Sequence, residues 1–326
     1  MSAILSDLVE LGGAGLAVVD LNAAAPPVGG AGVVRVGLAR GSARPMAGLE
    51  SLDILLCDDP DAPAPWVGVA PDRLEPTLDT IHSQVERQSA AAAVAAQVLR
   101  MTLLLDFDQA LVLESIGYSM LLASEGFRAW RLANPPRGRM EADEPRVRIT
   151  DDNQAITIEL NRPAARNAFD ARMRDELGAA LDFAAAHPDA PSVVLRGRGP
   201  AFSAGGDLDE FGRAEDVGVA HLIRTIRSPA RLVHDLGERL TVQAHGACIG
   251  AGVEVAAAAA HLTARPGAFF RLPEVSMGLI PGAGGTASVP RRIGRQRACY
   301  MAISGVDIDL DTALAWGLVD AVEAGL

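Results

Sequence analysis

Two glutamates stand beside glycine-rich turns in the stretch HGACIGAGVEVAAAAAHLTARPGAFFRLPEVSMGLIPGAGG, residues 245–285. Glu254 falls in AGVEVA and Glu274 in RLPEVSMG, and a second glycine-rich turn, FSAGGDL, occupies 202–208. The carbon beside a thioester carbonyl gives up or takes a proton readily only when the enolate oxygen is stabilised. Two backbone N–H groups aimed at one oxygen do this without a charged side chain, each worth about 3 kcal/mol. Glycine and alanine suit such turns because the backbone must come close to its ligand. Glu254 lies one turn into an otherwise apolar helix, where a carboxylate is costly unless it is paired or used. Paired carboxylates next to two exposed turns are what proton transfer beside a thioester carbonyl requires.

Other polar residues in these motifs read as structure. Asp207 follows two glycines, a position that usually stabilises a turn or holds a salt bridge. His245 and His261 have no orienting partner in the sequence, and Ser203 has no histidine base nearby, so a serine-hydrolase arrangement is not supported. No histidine pair has HExxH spacing and no carboxylate cluster resembles a metal cage. Cys57, Cys248 and Cys299 form no CxxC pair, which argues for reduced, buried thiols rather than a zinc site or disulfides.

The elements that must position these residues follow from composition and periodicity. The chain has 326 residues, 49% hydrophobic and 21% charged, enough for one or two packed domains. Its formal charge of −12 repels phosphate backbones, so nucleic acid is not an expected partner. No run is long and apolar enough to span a membrane and no leader pattern opens the sequence, so a cytoplasmic protein is expected. From 146 onward strand and helix signals alternate, as in an α/β domain. Ile156, Ile158 and Leu160 alternate in a strand. Asp170 can cap a helix with Met173, Leu177, Leu181 and Ala184 on one face. SVVLRG and RLTVQAHG are further strands, and 251–260 is a buried, alanine-rich helix.

Ahead of this core, LAVVDL, VVRVGLA, LDILLCDD and WVGVA are short strands bounded by Pro and Gly, making residues 1–70 a small β-rich region. GGAG at 12–15 precedes a strand, the reverse of a dinucleotide-binding fingerprint. Residues 71–140 are helical. Leu74, Leu78, Ile81 and Val85, then Val94, Val98, Met101 and Leu105, trace one face of a long helix. A second helix runs from about Asp108 to Ser124, interrupted near Gly126. The polar run NPPRGRMEADEPR, 134–146, separates this part from the core at 146–326.

The motifs from Arg146 to Leu326 resemble the enoyl-CoA hydratase/isomerase (crotonase) superfamily, in the family's order. The resemblance implies an α/β fold of ββα units wound into a spiral, and a homotrimer or hexamer acting on an acyl-CoA thioester. Coenzyme A would enter only as part of that substrate, with no permanently bound cofactor. Carried over, the oxyanion donors are the N–H groups of Gly206 and Ala251, where the family more often has glycine at the second place. Glu254 would orient and activate water while Glu274 exchanges the α-proton. Ala164 and Arg166, in NRPAARNAF, and Ala204, Gly206, Asp207 and Leu208 would line the CoA site. LVLESIGYSMLLASEGFRAWRLANPP resembles the helical tail that normally follows the core, so that tail stands here in front of it. Hydration of a 2-enoyl-CoA to a 3-hydroxyacyl-CoA is the activity implied. An isomerase, a thioester hydrolase and a non-catalytic acyl-CoA-binding subunit stay open.

Overall fold

Where apolar residues alternate, the chain forms strands that bury every second side chain. Ile156, Ile158 and Leu160 do so on β6 (Ala155–Leu160). The computed structural model describes residues 15–23, 32–41, 44–45, 47–138, 143–152, 154–187 and 192–323. Residues 12–14 of GGAG and 139–142 of the polar separator lie outside that set. In the core, β6 pairs antiparallel with β5 (Val147–Asp151) and parallel with β7 (Ser192–Gly197). With β8 (Leu240–Ala244), β10 (His261–Ala264) and β13 (Ala321–Val322) they form a sheet in the order β13-β10-β8-β7-β6-β5. A smaller sheet, β12-β11-β9, is built from β9 (Ala247–Ile249), β11 (Phe269–Arg271) and β12 (Ile308–Asp309). The chain steps from β8 to β9 across only His245 and Gly246, and from β10 to β11 across a four-residue link. These two turns each lay one strand in each sheet before helices return the chain, the ββα repeat of a spiral. Parallel neighbours require such crossovers.

In front, β1 (Leu16–Asp20), β2 (Val34–Ala39), β3 (Ile54–Cys57) and β4 (Val67–Gly68) form a parallel sheet in sequence order. Helices α1 (Leu74–Arg87), α2 (Ser89–Thr102), α3 (Phe107–Leu122) and α4 (Glu125–Ala133) follow. The expected long helix is therefore two, broken at Gln88, whose φ of −137° and ψ of 52° leave the helical region. In α2 the buried face consists of Ala91, Ala92, Ala95, Ala96, Val98, Leu99 and Thr102, while Met101 is exposed. Alanines pack closely against neighbouring helices and shift the face away from the larger residues that suggested it. The next break also moves. Ser124 caps α4 by accepting from the Phe127 N–H at 3.2 Å, so Gly126 lies inside that helix rather than interrupting it.

The core helices are α5 (Ala171–Ala185), α6 (Val217–Ile226), α7 (Pro229–Leu236), α8 (Ala251–Ala256), α9 (Gly285–Ile293), α10 (Arg295–Ser304) and α11 (Leu310–Trp316). Asp170 caps α5 as expected, accepting from the Met173 N–H at 2.7 Å. Helix α8 is shorter than the expected 251–260. It ends at Ala256 so that the chain can enter β10, and Arg292 takes the carbonyls released, donating to Ala257, Ala259 and Ala260. Among the described residues no helix is long and apolar enough to cross a membrane.

One cluster of buried side chains runs without a gap from Val34 in β2, through Ile81 and Val98, to Val319. The front part is thus packed into the core and not merely tethered to it. Polar ties reinforce the join. Arg295 donates to the Leu52 and Glu50 carbonyls, and Arg297 to those of Trp66 and Ala62. Asp53, 1% exposed, accepts from Arg100 Nε at 2.8 Å, from Arg100 Nη2 at 2.6 Å and from the Arg35 N–H at 2.8 Å. Asp53→Ala removes the bidentate partner of Arg100 and is expected to cost about 3 kcal/mol or more in urea denaturation, as for other broken buried pairs. A loss under about 1 kcal/mol would show that this carboxylate does not brace the front sheet.

Candidate active site

The residues singled out in the sequence converge on one cleft of about 330 Å³. Gly206, Asp207, Ala251, Glu254 and Glu274 all line it. The 202–208 turn is drawn to β9 by a parallel bridge from Ser203 to Cys248, and Gly206 bridges to Phe169. Among the described residues, neither the Gly206 nor the Ala251 N–H donates to a protein acceptor. Gly206 must lack a side chain, because a Cβ there would press on the Phe211 ring. Ala251 is the first residue of α8 and keeps its N–H at the helix start, where it is not consumed by the helix. Gly250 turns the chain into α8 with φ of 50° and ψ of −123°, and a Cβ on it would strike Glu274 Oε1.

Glu254 and Glu274 are both buried but held differently. Glu254 Oε2 accepts from the Ala283 N–H at 2.7 Å and from the Gly285 N–H at 2.9 Å. Glu274 Oε2 is buried with no hydrogen-bond partner. Burial raises the Glu254 carboxyl to about 7 against the pull of those N–H donors. Burial and the neighbouring Glu254 charge push Glu274 well above the ordinary carboxylate range. Two backbone donors thus favour the charge on Glu254 Oε2, whereas Glu274 Oε2 meets none.

A third carboxylate completes the cluster. Glu114, from α3, lines the same cleft and is 2% exposed. Its Oε1 accepts from the Gly284 N–H at 2.7 Å, and its Oε2 from the Thr286 N–H at 2.7 Å and Thr286 Oγ1 at 2.8 Å. The four successive N–H groups of residues 283 to 286 therefore alternate between Glu254 and Glu114. Burial and the Glu254 charge raise Glu114 to about 8. No motif marks Glu114, yet it is a carboxylate in an apolar helical run, the same signal that marks Glu254. Tyr118 and Arg224 also line the cleft without any sequence motif to announce them.

The other expected residues fall outside the chemistry or at its edge. Ser203 Oγ donates to the Asn167 carbonyl at 2.8 Å and is fully buried, so its hydroxyl is committed to structure. Asp207 receives Arg162 Nη2 at 2.6 Å and the Asp209 N–H at 3.0 Å, as a turn-holding acid does. His245 Nε2 contacts the Gly199 carbonyl at 2.9 Å and His261 Nε2 meets Glu238 at 2.9 Å. The Cys248 thiol is buried and pushed up to about 12 by desolvation. Ala164 and Arg166 are exposed and do not line the cleft. The Ala204 N–H is taken by the Arg166 carbonyl at 2.8 Å, and Leu208 O receives both terminal nitrogens of Arg131.

A two-sheet spiral whose cleft holds buried carboxylates and two N–H groups without protein acceptors defines an α/β class that known proteins share. The sequence model of the enoyl-CoA hydratase/isomerase family matches residues 150–325, more than half of the chain. The chain is 33% identical over 190 residues to the mevalonyl-coenzyme A hydratase SIDH of Beauveria bassiana, covering 55% of this chain and 68% of that protein. It is likewise 33% identical over 174 residues to the 2,3-dehydroadipyl-CoA hydratase of Escherichia coli, covering 53% and 68%. The crystal structure of an enoyl-CoA hydratase from Thermoplasma volcanium superposes with a TM-score of 0.51 at 32% identity, over 55% of this chain and 72% of that one. The protein belongs to the enoyl-CoA hydratase/isomerase family.

The raised carboxyls make stability depend on pH in a defined direction. Glu254 lies at about 7 in the folded protein against an ordinary value of 4.5. Its contribution is complete below the ordinary value and is lost as pH rises through the folded one. Glu254→Gln cannot ionise, so its urea stability relative to the parent is expected to improve from pH 5 to pH 8. An unchanged difference across that interval would rule out a buried, raised Glu254. Glu114→Ala, which strands three donors, is expected to cost about 3 kcal/mol at pH 7 by the same measurement.

Proposed function

We propose that this protein adds water across the double bond of a 2-enoyl-CoA to give the 3-hydroxyacyl-CoA. The observation that carries the reading is the unequal pair of cleft carboxylates opposite two free N–H groups. The thioester oxygen would lie between the N–H groups of Gly206 and Ala251. Glu254, oriented through Oε2 by two backbone donors, turns its other oxygen to a water and takes its proton as the water oxygen bonds the β-carbon. The electron pair moves to the thioester oxygen, and the two N–H groups stabilise the enolate. Glu274, pushed well above the ordinary carboxylate range by burial and the Glu254 charge, delivers its proton to the α-carbon. Glu254 is left protonated and Glu274 ionised, and one proton passing back through the cleft or the solvent resets the pair.

Coenzyme A enters this scheme as part of the substrate, with its nucleotide near Ala164 and Arg166. The front helices take the place of a C-terminal tail, since α3 and its Glu114, Tyr118 and Leu122 close one wall of the cleft. Assembly as a trimer or hexamer belongs to the same reading, supported by the apolar residues Val112, Ile116 and Met120 that α3 leaves exposed. The two curated relatives are named for different acyl groups, so the acyl group here has to be read from this chain's own cleft. Shifting a 3-enoyl double bond requires only one shuttling carboxylate, for which Glu274 alone would serve.

Loss of the conjugated enoyl-thioester absorbance with crotonyl-CoA and longer 2-enoyl-CoA esters tests the reading. Glu274→Gln and Glu254→Gln are each expected to lower kcat by about 10²- to 10⁴-fold, the usual contribution of positioned acid–base groups. The parent should show a kcat/KM profile whose acid limb falls near the pKa of Glu254, at about 7. Conversion of a 3-enoyl-CoA without hydration of any 2-enoyl-CoA would instead assign an isomerase.

A further inference from the structure

One cation in the cleft has no use in the hydration scheme. Arg224, on α6, lines the cleft with Glu114, Tyr118, Glu254 and Glu274. Its Nη1 donates to Ser115 Oγ at 2.8 Å and Ser119 Oγ at 3.1 Å, both on α3. The guanidinium carbon sits 4.3 Å from the Tyr118 ring centroid. These contacts hold the group in place but do not neutralise it. Its Nε and Nη2 have no acceptor among the described residues, and no carboxylate there forms an ion pair with it.

The neighbouring arginines, unlike Arg224, each form an ion pair. Arg174 and Arg227 line the same cleft and share Asp175, at 2.8 and 3.0 Å. Glu114 acts on Arg224 electrostatically, but both its oxygens are occupied by residues 284 and 286. Burial works against the charge on Arg224, and a guanidinium stays protonated regardless. A half-buried guanidinium that lines a cleft, anchored through Nη1 and with Nε and Nη2 uncommitted, is suited to a carboxylate, which it can grip with two parallel hydrogen bonds.

We propose that Arg224 receives a carboxylate carried by the acyl chain, so that the substrates are CoA thioesters of unsaturated acids ending in a second carboxyl group. The proposal rests on the reading of this cleft as an acyl-CoA site. Tyr118 supports the same placement. Its ring lies against Gly282, beside the Glu254 anchor at 283 and 285, and its other neighbour is Arg224. The ring thus covers the stretch between the reacting carbons and the guanidinium. Ser115 and Ser119 fix the far side of the fork, and His221 Nδ1 on Ser115 Oγ at 2.9 Å braces that hydroxyl. Leu111, Leu122 and Ile223 give the wall apolar stretches suited to the methylenes between the two ends, among polar residues that include Asp170, Arg174 and Glu210.

Matched pairs of acyl-CoA esters, identical in length and ending in a carboxylate or in its methyl ester, test the proposal at two levels. Saturated pairs are titrated calorimetrically, which requires no turnover, and 2-enoyl pairs are followed by hydration. At the preferred length the carboxylate ester is expected to bind and react about 10- to 100-fold better than the methyl ester, the range for a charged hydrogen-bonded pair. Arg224→Gln should bring that ratio close to one, and Arg224→Lys should keep part of it. Thermal melts of both variants check that α6 still packs on α3. A ratio near one in the parent, or equal loss for both esters and for CoA alone in Arg224→Gln, overturns the proposal and makes Arg224 a CoA contact or a brace. Hydration can fail while the saturated pair still shows the preference. That result would remove the hydratase reading and leave the carboxylate site standing, whereas binding of neither ester would remove both.

Discussion

The glycine turn at 282–286 is the constraint on which the cleft depends. Its N–H groups open α9 and would have no partner within the helix. They are divided between two buried carboxylates, one from α8 and one from α3. A helix start is a natural place for negative charge, since unpaired N–H groups and the helix dipole act together. Here the charge comes from inside the protein. Glu254 is thereby held with one oxygen committed and one available, and α3 is locked against α9. Thr102 of α2 adds to the same junction by donating to the Thr286 carbonyl at 2.6 Å.

That junction explains why an active-site reading involves the front of the chain at all. A carboxylate in an apolar helix is costly when isolated, and Glu114 and Glu254 offset the cost with the same short run of backbone. The price of this economy is a cluster of three acids that cannot all ionise together. Burial raises all three, and the Glu254 charge adds to the rise of Glu114 and Glu274, while backbone donors pull Glu254 and Glu114 back down. Glu254 has two backbone donors, Glu114 has three donors in all, and Glu274 Oε2 has none. Among the described residues, the unequal hydrogen bonding of the pair comes from backbone donors and not from any positive side chain bonded to either carboxylate.

The spiral serves the same end. Stepping directly from β8 to β9 brings the 247–251 segment beneath the 202–208 turn, so that Gly206 and Ala251, far apart in sequence, face one space. The glycines at 206 and 250 are there for clearance, against the Phe211 ring and the Glu274 carboxyl respectively. The front sheet and helices then close the far wall, packed into the same continuous core.

Much of this was legible in the sequence. The alternation of Ile156, Ile158 and Leu160, the Asp170 cap, the four front strands and the two glycine-rich turns with their glutamates depend on local periodicity and turn chemistry, which a sequence carries directly. Local signals misjudged the helices where alanine packing and capping decide the outcome. Gln88 divides the expected long helix, Ser124 rather than Gly126 marks the next break, and α8 stops at Ala256 because β10 must begin. The site was legible only from the side of the core. Glu254, Glu274, Gly206 and Ala251 sit in recognisable motifs, whereas Glu114, Tyr118 and Arg224 owe their place to helices that meet the core only in three dimensions. Sequence alone determined which carboxylates stand in the glycine-rich motifs. Tertiary packing alone decided how far burial raises each carboxyl and that Arg224 lines the cleft without an ion pair among the described residues, because desolvation and hydrogen-bond partners exist only once distant segments are in contact.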